Sequence, residues 1–122
     1  MYYERDWIMR QIQMAIQLIA KLVLKNDFLQ YEIKDEANLS RADLLYQQLA
    51  KLLDELKICD AEDLLFSSFD NSREYLMLAI DFYNRLNGFS DDVLENNNFS
   101  REEINEGLNE IIRRHGITLP SV

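Results

Sequence analysis

The sequence predicts an all-α fold, a compact bundle of about six antiparallel-packed helices forming one domain over residues 1–122, and three observations carry that prediction. Turn residues are scarce: three Gly and one Pro leave too few breaks for an all-β chain, which needs them every 8 to 12 positions or so. Apolar residues recur at helical spacing. Short polar residues with acids close behind mark helix starts at five places.

Taken in order, the first helix is expected near residues 4–25, and a less regular helical stretch, 27–36, continues or follows it. The second, near 40–57, opens at Ser40 with Asp43 three residues on and Leu39 and Leu44 placed as a hydrophobic staple. Its stripe is Leu45, Leu49, Leu52 and Leu56. A third, near 60–68, starts at Asp60, and a fourth, near 71–87, starts at Asn71 and carries Tyr75, Leu78, Ala79, Phe82 and Leu86 on one face. Gly88 is expected to close that helix in the left-handed conformation. A short fifth helix, near 90–96, begins at Ser90. The last, near 100–115, is capped by Ser100 with Glu103 and the Phe99–Ile104 staple, buries Ile104, Leu108, Ile111 and Ile112, and stops at Gly116. Gly107 inside it costs about 1 kcal/mol against Ala, which predicts a close approach by another helix there.

Charge narrows the function classes. The net charge is −9, which opposes nucleic-acid binding because cations must replace counterions on phosphates. Residues 1–25 carry Arg5, Arg10, Lys21 and Lys25 against Glu4 and Asp6, a net of +2, so the rest of the chain carries −11. Cys59 is the one cysteine, so an internal disulfide scaffold is excluded. No signal peptide is legible and no apolar run reaches the roughly 20 residues of a membrane span, so the expected location is cytoplasmic.

Candidate chemistry is thin. His115 lacks acids at the preceding helical positions, which hold Ile111 and Ile112, so it reads as a C-terminal helix residue favoured by the dipole. Cys59 lies among Asp60, Glu62 and Asp63, which raise rather than lower a thiol pKa, and reads as a buried structural cysteine. The acids between Asp91 and Glu103 lack the alternating ligands and central glycine of a calcium loop. No catalytic, cofactor-binding or metal-binding residue is assigned, and the expectation is not an enzyme. The alternative is a small enzyme working with carboxylates only.

The first helix stands apart. Ile8, Ile12, Ala15, Ile16, Ile19 and Val23 make one apolar face, and Trp7, Met14 and Leu18 make a second beside it, interrupted by Gln11. Arg10, Gln13, Gln17 and Lys21 fill the remaining polar stripe. The apolar arc spans roughly 240°, where a surface helix needs little more than about 100°. Either this is a central helix wrapped by the others, or the second face meets another chain, or it lies on a membrane surface. The second reading makes Trp7, Met14 and Leu18 interface candidates and the chain a protein-interaction or self-association module, most simply a homodimer.

Several segments carry a family resemblance: Glu4-Arg5-Asp6-Trp7-Ile8-Met9-Arg10-Gln11-Ile12, Asp60-Ala61-Glu62-Asp63-Leu64-Leu65-Phe66, Phe82-Tyr83 with Leu86-Asn87, and Leu94-Glu95 through Asn98-Phe99-Ser100-Arg101-Glu102-Glu103-Ile104 to Glu106-Gly107-Leu108. The chain resembles a small uncharacterised family of helical bacterial proteins, chiefly from Gram-positive lineages. That resemblance implies a bacterial cytoplasmic origin and an all-helical fold, with helical-repeat packing as a variant, although the 34-residue repeat consensus is not met. It implies no activity.

Overall fold

Helix α1 (Tyr2–Leu22) has buried positions one turn apart, Ile12, Ile16, Ile19 and Ala20, and its polar stripe of Arg10, Gln13, Gln17 and Lys21 is exposed. The computed structural model describes residues 2–25 and 30–119, with side chains from residue 6 onward. Five more helices follow: α2 (Arg41–Asp54), α3 (Ile58–Ser67), α4 (Arg73–Asn87), α5 (Asp91–Asn96) and α6 (Arg101–Arg114). Among the described residues there is no strand, and the fold is an all-α bundle.

Four starts are made by serine. The Asp43 N–H donates to Ser40 Oγ at 3.1 Å while the Asp43 carboxylate accepts from the Ser40 N–H at 3.0 Å, a complete capping box. Ser90 and Ser100 accept from the N–H groups of Val93 and Glu103, each at 3.2 Å. The cap of α4 is Ser72, which accepts from the Tyr75 N–H at 3.1 Å, and not the expected Asn71. Helix α3 also begins earlier than Asp60. Its N-cap is Lys57, without a side-chain cap, because α2 ends in a Schellman turn that runs straight into it. In that turn the Lys57 N–H reaches Leu52 O at 2.8 Å and the Leu56 N–H reaches Leu53 O at 3.0 Å. Asp60 thus sits in the first turn, where its charge suits the dipole.

The same turn ends α5 and α6, with Asn98 (φ 59°) and Gly116 (φ 69°) in the left-handed position. Gly88 corrects its expectation: it is right-handed, with φ −82°. Residues 30–36 are irregular where a helix was expected, and 27–29 lie outside the described residues. The reason is at Tyr31. Its N–H goes to the Asp81 carboxylate at 3.1 Å and its hydroxyl to Asp43 Oδ1 at 2.6 Å, so its amide is spent on a side chain rather than on a carbonyl one turn back.

The helix that the others surround is α4, not α1. It packs against α1, α2 and α6, and ten of its fifteen residues are buried. Helix α3 lies on α2, and α1 also packs on α6. Gly107 is where α6 meets this centre: a methyl added there would overlap the Tyr83 hydroxyl of α4 and come within 2.6 Å of Glu62 Oε2 of α3. The expected close approach is therefore made by a side chain from the neighbouring helix.

A candidate interaction face on the first helix

What α1 presents to solvent follows from how it is held. Asn87, at the end of α4, donates to Met9 O at 3.2 Å, and Arg73, at its start, donates to Leu24 O at 2.6 Å. The two helices thus run antiparallel with α1 pinned at both ends. Asn87 is itself fixed by Arg101, a buried guanidinium that donates to Asn87 O at 2.8 Å, Asn87 Oδ1 at 3.1 Å, Phe89 O at 2.6 Å and Asp91 Oδ1 at 3.1 Å. It serves the carbonyls at the α4 C-terminus that no helical N–H can reach. These bonds set the rotation of α1, so that Ile12 and Ile19 are fully buried while Trp7 is 60% and Met14 42% exposed.

Trp7, Met14 and Leu18 come together in one groove, of about 410 Å³, between α1 and α6. Gln11 and Ala15 share the α1 side, and Asn105, Asn109 and Leu119 line the rest. Leu18 is half-buried. Sequence reasoning missed the far wall. Asn105 and Asn109 form an i, i+4 polar pair off the α6 core stripe, but only the packing of α6 on α1 places them beside Trp7.

The other singled-out residues fare differently. Cys59 is exposed, which corrects its expected burial, because α3 begins at Ile58 and that residue takes the buried position. Its sulfur rests over Asn97 O and Asn98 O, each at 3.8 Å. That cover raises the thiol pKa, and Glu103, Glu62, Asp63 and Asp60 raise it further. His115 is the C-cap of α6, stacked on Tyr75 with ring centres 5.9 Å apart and tilted against Phe69 at 5.2 Å. Burial lowers its pKa against the pull of Asp70, so the neutral ring is favoured rather than a dipole-stabilised cation. Its Nε2 is buried without a hydrogen-bond partner.

Two carboxyl groups are held above their ordinary range, in both cases chiefly by burial. Glu62 accepts from the Tyr83 hydroxyl, and Asp81 accepts from the Tyr31 N–H. They belong to different contacts, one joining α3 to α4 and one joining α4 to the segment before α2. A polar cleft of about 690 Å³ beside Tyr31 and Asp43 is also lined by Arg73 and Glu74. There the Tyr31 bond lowers the Asp43 pKa, while burial and that bond push the Tyr31 hydroxyl up to about 12. Among the described residues, no cluster of three His, Cys, Asp or Glu is placed to hold a metal, and no helix is long and apolar enough to cross a membrane.

One family model matches the chain, over residues 2–116, and it describes a family of unknown function, DUF6483. No curated protein and no solved structure matches it.

Proposed function

We propose, for a chain that belongs to the family of unknown function DUF6483 and so takes no activity from its family, that it is a non-catalytic protein-interaction module working by self-association through the outer face of α1. The observation that supports this is Trp7, 60% exposed beside Met14 and Leu18 in one groove. Large apolar side chains gathered in water are uncommon on a soluble monomer, and Trp and Met are enriched where proteins meet. Two-fold dimers are the commonest assembly, and they use the same patch twice. In the same reading the protein is cytoplasmic and bacterial, as the resemblance implies and the lone Cys59 allows. The carboxylate-enzyme alternative is the weaker one, because Glu62 and Asp81 do not face each other across a cleft.

Light scattering on the purified protein over a range of concentrations tests the proposal. A dimer is expected, loosening somewhat as salt screens Arg10 and Lys21. Replacing Trp7, Met14 and Leu18 together by polar residues is expected to give a folded monomer. A wild type that stays monomeric at high concentration defeats self-association. A dimer that survives the triple change places the interface elsewhere.

A further inference from the structure

The exposed face of α1 has a register of its own. Trp7, Gln11, Met14, Leu18 and Lys21 follow one another at spacings of four, three, four and three; Leu18 is half-buried, the other four are exposed, and the first four line the groove beside α6. That alternation is the seam of a coiled coil, a stripe that fits a second helix bearing the same repeat. From it we infer that two copies pair through antiparallel α1 helices, with Trp7 of one copy packed on Leu18 of the other and Gln11 on Met14. This rests on the self-association reading above and adds the direction and register of the pair.

Two observations choose a second copy in this orientation. A parallel pair would stack Lys21 on Lys21 and Gln11 on Gln11 along the seam. Reversing one helix about the midpoint between Ile12 and Gln13 sets the two Lys21 side chains roughly 25 Å apart along the axis at 1.5 Å per residue. Each large side chain then meets a different one, and the two symmetry-related layers that set Gln11 against Met14 help define the register. Charge gives the second argument. Exposed Glu102 and Glu106 lie within a turn of Asn105 and Asn109, the α6 wall of the groove. Arg10 and Lys21 are exposed on α1. The surface is thus cationic on one helix and anionic on its neighbour, which a two-fold axis makes complementary to itself.

Spin-label distances in the full chain test the pairing, with Cys59→Ser removing the native thiol and one label placed at Gln13→Cys or at Leu22→Cys. Both positions are exposed on α1. The antiparallel register expects a short distance between the two labels at position 13 and about 30 Å between those at position 22. Short distances at both, about one helix diameter of 10–12 Å plus the label arms, mean a parallel pair. That outcome overturns the inference and leaves self-association standing. Long distances at both positions in a dimer overturn it as well, by taking the interface off α1. A monomer at the labelling concentration removes the inference and the reading beneath it together.

Discussion

The Tyr83 hydroxyl donates to Glu62 Oε2 at 2.7 Å directly over the backbone of Gly107, so that three helices meet at one hydrogen bond. The Tyr83 ring is fully buried, and burial together with the neighbouring carboxylate holds its hydroxyl strongly on the protonated side. The phenol is therefore the donor, and Glu62 can accept from it as the anion. Gly107 is the residue that leaves room for the bond.

Gly107→Ala is expected to destabilise the protein. Ala gains about 1 kcal/mol of helix propensity over Gly. Against this, the added methyl overlaps the Tyr83 hydroxyl, and a fully buried ring has little room to retreat. Forcing a group into a packed core costs about 1–3 kcal/mol, and the net expectation is a loss of up to about 2. Urea midpoints of the two proteins measure it. An unchanged or raised midpoint would mean that α6 can slide away from α4.

The carboxyl at Glu62 gives a pH signature. Burial chiefly, with help from Glu103, Asp63 and Glu106, raises its pKa in the folded protein above the ordinary 4.5, and the Tyr83 bond offsets only part of this. A carboxyl raised on folding contributes stability that is complete below its unfolded value and is lost as pH rises through its folded value. Glu62→Gln keeps an acceptor for Tyr83 without the charge. Its stability relative to wild type should improve as pH rises from about 4.5 toward neutrality. A stability difference that does not move with pH in denaturant titrations would refute this account of Glu62.

Arg101→Lys is expected to be far from conservative. The guanidinium serves two main-chain carbonyls, the Asn87 amide oxygen and Asp91 from a site only 7% exposed. One ammonium cannot span that set, and a hydrogen bond to a charged group is worth about 1.5–3 kcal/mol. A loss of at least about 2 kcal/mol is expected, with α5 and the end of α4 exchanging hydrogen fastest. Uniform exchange with an unaltered melting temperature would count against the role.

Leu56 holds a left-handed conformation, φ 58°, that glycine usually takes. That conformation costs an ordinary residue about 1–2 kcal/mol, which exceeds what Leu56 regains from a side chain left 41% exposed. Leu56→Gly should raise the melting temperature modestly, and Leu56→Val, branched at Cβ, should lower it. The reverse order would show that the Leu56 side chain matters more than its backbone.

Most of the helices are legible along the chain, because a helix start is a local event. Ser40, Ser90 and Ser100 each bond an N–H three residues away, within reach whatever the rest of the chain does. Gly107 was legible for a related reason: a glycine inside a strong helical pattern costs stability, and a close contact explains why it is there. Of the described side chains of α1, thirteen are exposed or half-exposed, and the apolar ones among them were legible only as a surplus of apolar arc. Tertiary structure decided the rest. It made α4 the surrounded helix, through bonds such as Asn87 to Met9 that join residues 78 apart. It turned 30–36 from helix into a strap tied down by Asp81 and Asp43, and it left Cys59 outside by starting α3 one residue before it. It also brought Asn105 and Asn109 of α6 beside Trp7. Backbone geometry repeats every few residues and can be read along the chain, whereas which face of a helix stays in water depends on partners that only folding brings near.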